Sequence, residues 1–100
     1  MADTSITLFR GAAATSSTTL YTAPTGTAVA ITNIAIVNDS ASSITATINL
    51  ATFPILGGIS VAANSTQFVD LEQIIFDEET ITGSASTTTV DFHIAGYEVY

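Results

Sequence analysis

Ala28-Val-Ala-Ile-Thr-Asn-Ile-Ala-Ile-Val37, then Asn38-Asp-Ser-Ala-Ser-Ser43, then Ile44-Thr-Ala-Thr-Ile-Asn-Leu50 is the stretch that decides the fold. In its last part Ile44, Ala46, Ile48 and Leu50 alternate with Thr45, Thr47 and Asn49, the period-two pattern of a strand buried on one face. The first part is apolar on both sides. Val29, Ile31, Ala35 and Val37 fall on one face of an extended chain, with Ala30, Ile34 and Ile36 on the other. A two-sided run of this kind belongs in the middle of a sandwich or at an interface. Between the two lie Asn, Asp and Ser residues that hydrogen-bond their own backbone, which is turn chemistry.

Working outward, the same grammar of short strands and turns repeats. Upstream, residues 18–22 read as a strand ended by Ala23-Pro-Thr-Gly26, because proline fixes φ and removes a donor. Residues 5–9 alternate briefly, and Gly11-Ala-Ala-Ala-Thr-Ser-Ser17 shows no apolar period. Residues 1–17 are therefore expected to be an N-terminal arm and linker, and residues 18–100 the folded domain. Downstream, Phe53-Pro-Ile-Leu56 with Gly57-Gly58 reads as an apolar connection and flexible turn, followed by an extended pattern over 59–63 and a turn at Asn64-Ser65. Residues 66–71 read as a strand, 73–76 as a short apolar segment and Asp77-Glu78-Glu79 as an acidic corner before 80–82. The last strand covers 89–100, with Val90, Phe92 and Ile94 inward and Asp91 and His93 outward. No segment carries a 3.6-residue stripe. The prediction is an all-β protein: a single β-sandwich of seven or eight antiparallel strands, jelly-roll-like or Ig-like, with an N-terminal arm.

Composition agrees. One hundred residues fit one domain, with a folded surface of about 5,400 Å² against about 15,000 Å² unfolded. Thr, Ile and Val favour pleated surfaces, and the good helix formers Leu, Lys, Arg and Gln are sparse. With no Cys, disulfides and thiolate metal sites are excluded. Neither a basic region followed by an apolar core nor a membrane-length apolar run is present, so the expectation is a soluble chain without a signal peptide. Nine carboxylates face one cation, Arg10, for a net charge of −8. That balance argues against nucleic acid and anionic membrane as partners; it serves solubility or complements a basic partner surface.

Little catalytic chemistry is on offer. Twenty-eight Ser and Thr residues accompany a single His93, and none sits in a Gly-x-Ser-x-Gly elbow. His93 reads as an outward strand residue that shares a face with Asp91. Asp77-Glu78-Glu79 has the oxygens a Ca²⁺ ion needs but not the spacing of a calcium loop, and Gly57-Gly58 precedes no helix that would make a phosphate loop. No catalytic, cofactor or metal site is expected. Tyr21, Tyr97 and Tyr100 are the tyrosines a sugar-binding face could use.

Leu20-Tyr-Thr-Ala-Pro-Thr-Gly26, Ala30 to Asn38 with the Ser-Ala-Ser turn and Ile44-Thr-Ala-Thr-Ile48, Val61-Ala-Ala-Asn-Ser-Thr66 through Leu71, and Ile81-Thr-Gly-Ser-Ala-Ser86 through Gly96-Tyr-Glu-Val99 together resemble the small β-sandwich structural proteins of tailed-bacteriophage virions. The sequence departs from that pattern at Asp77-Glu78-Glu79, where related chains tend to carry a glycine-containing turn. The resemblance implies a capsid decoration (cement) protein, made in the host cytoplasm, that binds the exterior of the assembled shell. Its partners would be the major capsid protein or another virion protein, and it would form a homo-oligomer, with a trimer at threefold positions favoured. The alternative is a tail- or fibre-associated module that recognises host surface glycan; these 100 residues hold no coiled coil, which favours decoration. The interface candidates are Ile6, Leu8, Phe9 and Arg10 on the arm and Phe53 and Ile55 on the apolar connection.

Overall fold

The computed structural model describes residues 5–99; the expectations that fall on residues 1–4 and on Tyr100 lie outside them. Eight strands are present: β1 (Ser5–Ala12), β2 (Thr18–Thr22), β3 (Ala28–Asn38), β4 (Ile44–Leu50), β5 (Phe53–Val61), β6 (Ser65–Phe76), β7 (Thr80–Ala85) and β8 (Val90–Val99). They pair antiparallel in two four-stranded sheets, β1-β8-β3-β6 and β2-β7-β4-β5. First pairs with last throughout: β1 with β8, β2 with β7, β3 with β6 and β4 with β5. The chain thus makes one long hairpin, closed at the β4–β5 turn, that rolls up so that on either side of that turn consecutive strands alternate between sheets, the jelly-roll topology. An Ig-like sandwich would keep its A and B strands in one sheet. Here β1 and β2 lie in different ones.

Between the sheets, Ile44, Ala46, Ile48 and Leu50 of β4 face Val90, Phe92 and Ile94 of β8, all buried as their alternation requires. On β3 the phase is not constant. Val29 and Ile31 point inward, but after Thr32 the inward residues are Ile34 and Ile36. The register against both β6 and β8 slips between Ile31 and Asn33, and the Thr32 hydroxyl donates to the Ala95 carbonyl at 3.4 Å. This bulge flips the faces, so Ala35 and Val37 do not share a side with Val29 and Ile31 as expected. Ala30 and Ala35 lie on the outer face of the first sheet, opposite Tyr97 and His93 of β8.

The N-terminal segment also differs from expectation. Residues 5–12 are a strand, in register with β8 from Ser5 opposite Tyr97 to Ala12 opposite Asp91, and only residues 13–17 form a connection. Leu8, at 7% exposure, belongs to the core, with Ile6 and Phe9 packed against it. The physical reason is that without β1 the inner row of β8 would end at an open edge, and three apolar side chains supply its cover. Close approach enforces Gly96 at this point: a Cβ there would collide with the Ala30 carbonyl and lie 3.0 Å from Leu8 Cδ1.

Residues 53–56 begin strand β5 rather than a connection, and Gly57-Gly58 sits within β5 at a register slip, with Gly58 at φ +72°. Similarly, 66–71 and 73–76 join into the single strand β6.

Candidate interaction surface

Two buried or anchored turns hold the ends of the sandwich. At one end, Asn38 is 1% exposed and its side chain is fully engaged. Its Nδ2 donates toward the carbonyls of Ser42, Val61 and Ala62 at 2.9, 3.1 and 3.0 Å, and its Oδ1 accepts from the Ser40 N–H and hydroxyl at 3.0 and 2.8 Å. The amide ties the β3–β4 turn to the end of β5.

At the other end the acidic corner is a tight turn that carries the chain from β6 in one sheet to β7 in the other, with Asp77 and Glu78 at φ 49° and 70° and the Glu79 N–H donating to the Phe76 carbonyl at 3.2 Å. Its carboxylates serve the backbone: Asp77 accepts from the Gly26 N–H at 2.9 Å and Glu79 from the Phe76 N–H at 2.8 Å. Among the described residues no group of three or more His, Asp or Glu side chains is placed to hold a metal ion. The neighbouring β4–β5 turn, Ala51-Thr52, has φ 51° and 72° without glycine or asparagine.

That strained turn presents Phe53, which is 73% exposed. Behind it a cleft of about 380 Å³ is lined by Leu50, Phe53, Ile55, Gln73, Ile74 and Glu79, among others. Phe53 on β5 and Ile74 on β6 thus border one depression, where the edges of the two sheets meet. Along β6, Val29 opposite Ile75 and Ile34 opposite Val69 fix the odd-numbered side chains inward. The even-numbered ones face out, leaving Phe68, Ile74 and Phe76 exposed by 66%, 61% and 51%. Asp70, on the same row, accepts from Asn33 Nδ2 at 3.0 Å.

The six interface candidates are not brought together. Ile6, Leu8, Phe9 and Arg10 lie on β1, at the edge of the first sheet remote from β6, whereas Phe53 and Ile55 lie on β5, beside β6. Leu8 is core, Ile6, Phe9 and Ile55 are half-buried against the core, and only Arg10 and Phe53 are exposed. Phe68, Ile74 and Phe76 were not anticipated as surface residues. Their signal was available in the outward row Phe68, Asp70, Glu72, Ile74, Phe76, but apolar residues on both parities of β6 hide which row faces water.

His93 opposes Arg10 and Ala35 on the outer face, half-buried, with Asp91 two residues before it and exposed. Neither cross-strand neighbour is a hydroxyl. Tyr21 packs against the core, and its phenol pKa is raised from 10.0 by burial and then by the charge of Glu98. Tyr97 is outward on the other sheet, opposite Ala30, so these two tyrosines form no common platform for a sugar. No protein-family model matches the sequence, and a search of curated proteins finds no match either.

Proposed function

We propose that the chain is a non-enzymatic structural protein of a tailed-phage virion, a capsid decoration protein that binds the outside of the assembled shell and stabilises it. The observation that carries this reading is that, of the large exposed apolar residues, Phe53 and Ile74 border one cleft between β5 and β6, and Phe68 and Phe76 stand on the same outward row of β6 as Ile74. Contiguous exposed apolar surface rimmed by charge is the mark of a protein–protein contact. The jelly roll is compatible with the virion resemblance, though a fold alone does not assign a role. Stabilisation would follow mass action: a ligand that binds only the assembled lattice raises the cost of disassembly by RT ln(1 + [L]/Kd), about 2.7 kcal/mol per site at a hundredfold excess over Kd. The test is co-sedimentation of the purified chain with assembled phage shells and, separately, with unassembled shell subunits, alongside thermal melts of the particles. Saturable binding to shells with a raised melting temperature is expected. Equal binding to free subunits, or none to shells, overturns the reading.

A further inference from the structure

β6 is the longest edge of the sandwich, twelve residues against eight for β1, five for β2 and nine for β5. One side of it pairs with β3; among the described residues its other side pairs with no strand. An unpaired edge offers a row of main-chain donors and acceptors to an incoming strand. Natural edges are blunted by charge, above all lysine, and by proline; β6 has no lysine or proline, and its charges, Asp70 and Glu72, are both acidic, so they repel an acidic strand and not a basic one.

Its chemistry is one-sided. The outward row runs Phe68, Asp70, Glu72, Ile74, Phe76, and the turn beyond adds Asp77, Glu78 and Glu79. Five of the nine carboxylates, Asp70, Glu72, Asp77, Glu78 and Glu79, therefore stand on this strand and its turn. The one cation, Arg10, is on β1, at the opposite edge of the sheet.

We infer that β6 is a docking edge for an extended, basic strand of a partner protein, taken up by strand addition. Main-chain hydrogen bonds extend the sheet, apolar side chains of the guest cover Phe68, Ile74 and Phe76, and its lysines or arginines meet Asp70 and Glu72. A second copy of this chain is the wrong occupant. The antiparallel register that lays Phe68 of one copy beside Ile74 of the other also sets Asp70 directly opposite Glu72, twice over, and like charges directly opposite destabilise a sheet. The inference concerns the edge alone and holds whether or not the partner is a shell protein.

The experiment titrates the isotopically labelled full chain with a short synthetic peptide, Val-Thr-Val-Thr-Lys-Thr-Lys-Thr-Val, whose alternate positions set valines beside Phe76, Ile74 and Phe68 and lysines beside Glu72 and Asp70 when it lies antiparallel to β6, and with the same peptide carrying glutamate for lysine. Backbone shift changes concentrated in Ser65–Phe76, binding that weakens as salt is raised, and no binding of the glutamate peptide are expected. The double variant Phe68→Ser/Ile74→Ser, both sites being exposed, should keep the folded spectrum while binding the lysine peptide roughly tenfold or more weakly. Absence of binding, shifts centred elsewhere, equal uptake of both peptides, or undiminished binding by the double variant overturns the inference. Sedimentation velocity decides the remaining occupant: the oligomeric state should be the same in wild type and double variant, and an oligomer that the double variant dissolves assigns the edge to a second copy instead.

Discussion

Replacing Asn38 tests the polar clamp that closes one end of the sandwich. An amide NH₂ has two hydrogens, so the three carbonyls around Nδ2 share two donors, and Oδ1 accepts twice from Ser40; the side chain makes about four hydrogen bonds. At about 1 kcal/mol net each, Asn38→Ala could cost about 4 kcal/mol. Ser42 and Ala62 are exposed residues whose carbonyls can turn to water, while the Val61 bond is buried, so about 3 kcal/mol is the better expectation. For a domain of this size that lowers Tm by roughly 12 to 24 °C. Asn38→Asp is the sharper probe. It keeps the two bonds from Ser40 but turns a buried anion toward three carbonyl oxygens, so at neutral pH it should destabilise more than the alanine variant. This new carboxyl has a raised pKa in the folded state, so the penalty is absent below the unfolded value near 3.9 and grows as pH rises through the folded one. Urea unfolding followed by circular dichroism, at neutral and acid pH, reads both. An alanine variant within about 1 kcal/mol of wild type, or an aspartate variant as stable as wild type at neutral pH, would refute the clamp.

Three further outcomes follow from the same geometry. Leu8→Ala should cost about 2 to 4 kcal/mol in urea unfolding, as a core truncation does, whereas a residue on a loose arm would cost almost nothing. Thr52→Gly should stabilise by about 0.5 to 1 kcal/mol, since relief of a β-branched residue at φ 72° outweighs the unfolded-state entropy that glycine adds; a loss of stability would show that the threonine side chain holds the turn. Because Tyr21 keeps its proton more tightly in the folded state than an ordinary phenol, whose pKa is 10.0, its contribution is full below that pH and is lost as pH rises through the folded value. Thermal melts taken across the alkaline range should therefore slope downward less in Tyr21→Phe than in wild type, and identical slopes would contradict the shift.

How far the sequence could be read depended on whether each strand kept a single phase. β4 and β8 alternate without interruption, so Ile44, Ala46, Ile48, Leu50, Val90, Phe92 and Ile94 could be placed inward from their spacing alone. On β3 the spacing misleads, because the slip at Thr32 depends on pairing with β6 and β8, which lie more than thirty residues away in sequence. The Gly- and Ala-rich end of β1 looks like a linker for a related reason. Small residues there satisfy tertiary packing and carry no periodic signal. Neither Ala51-Thr52 nor Asp77-Glu78 shows the glycine or asparagine of a primed turn, so the β4–β5 hairpin and the true start of β5 were hidden. The exposed row of β6 required knowing which sheet β6 borders.

That topology also decides how the charge acts. β1 and β6 are separated by three strand spacings, about 14 Å at roughly 4.8 Å each. The Debye length at physiological ionic strength is about 8 Å, so Arg10 does little to offset Asp70, Glu72 or the β6–β7 turn. A net charge of −8 is therefore not felt as a uniform field. An approaching basic segment meets an acidic edge that has exposed Phe68, Ile74 and Phe76 on the same row, and the edge of β1 offers it neither. Steering and burial then act at one place, which is what makes the position of a bound strand, and not merely its affinity, a consequence of the fold.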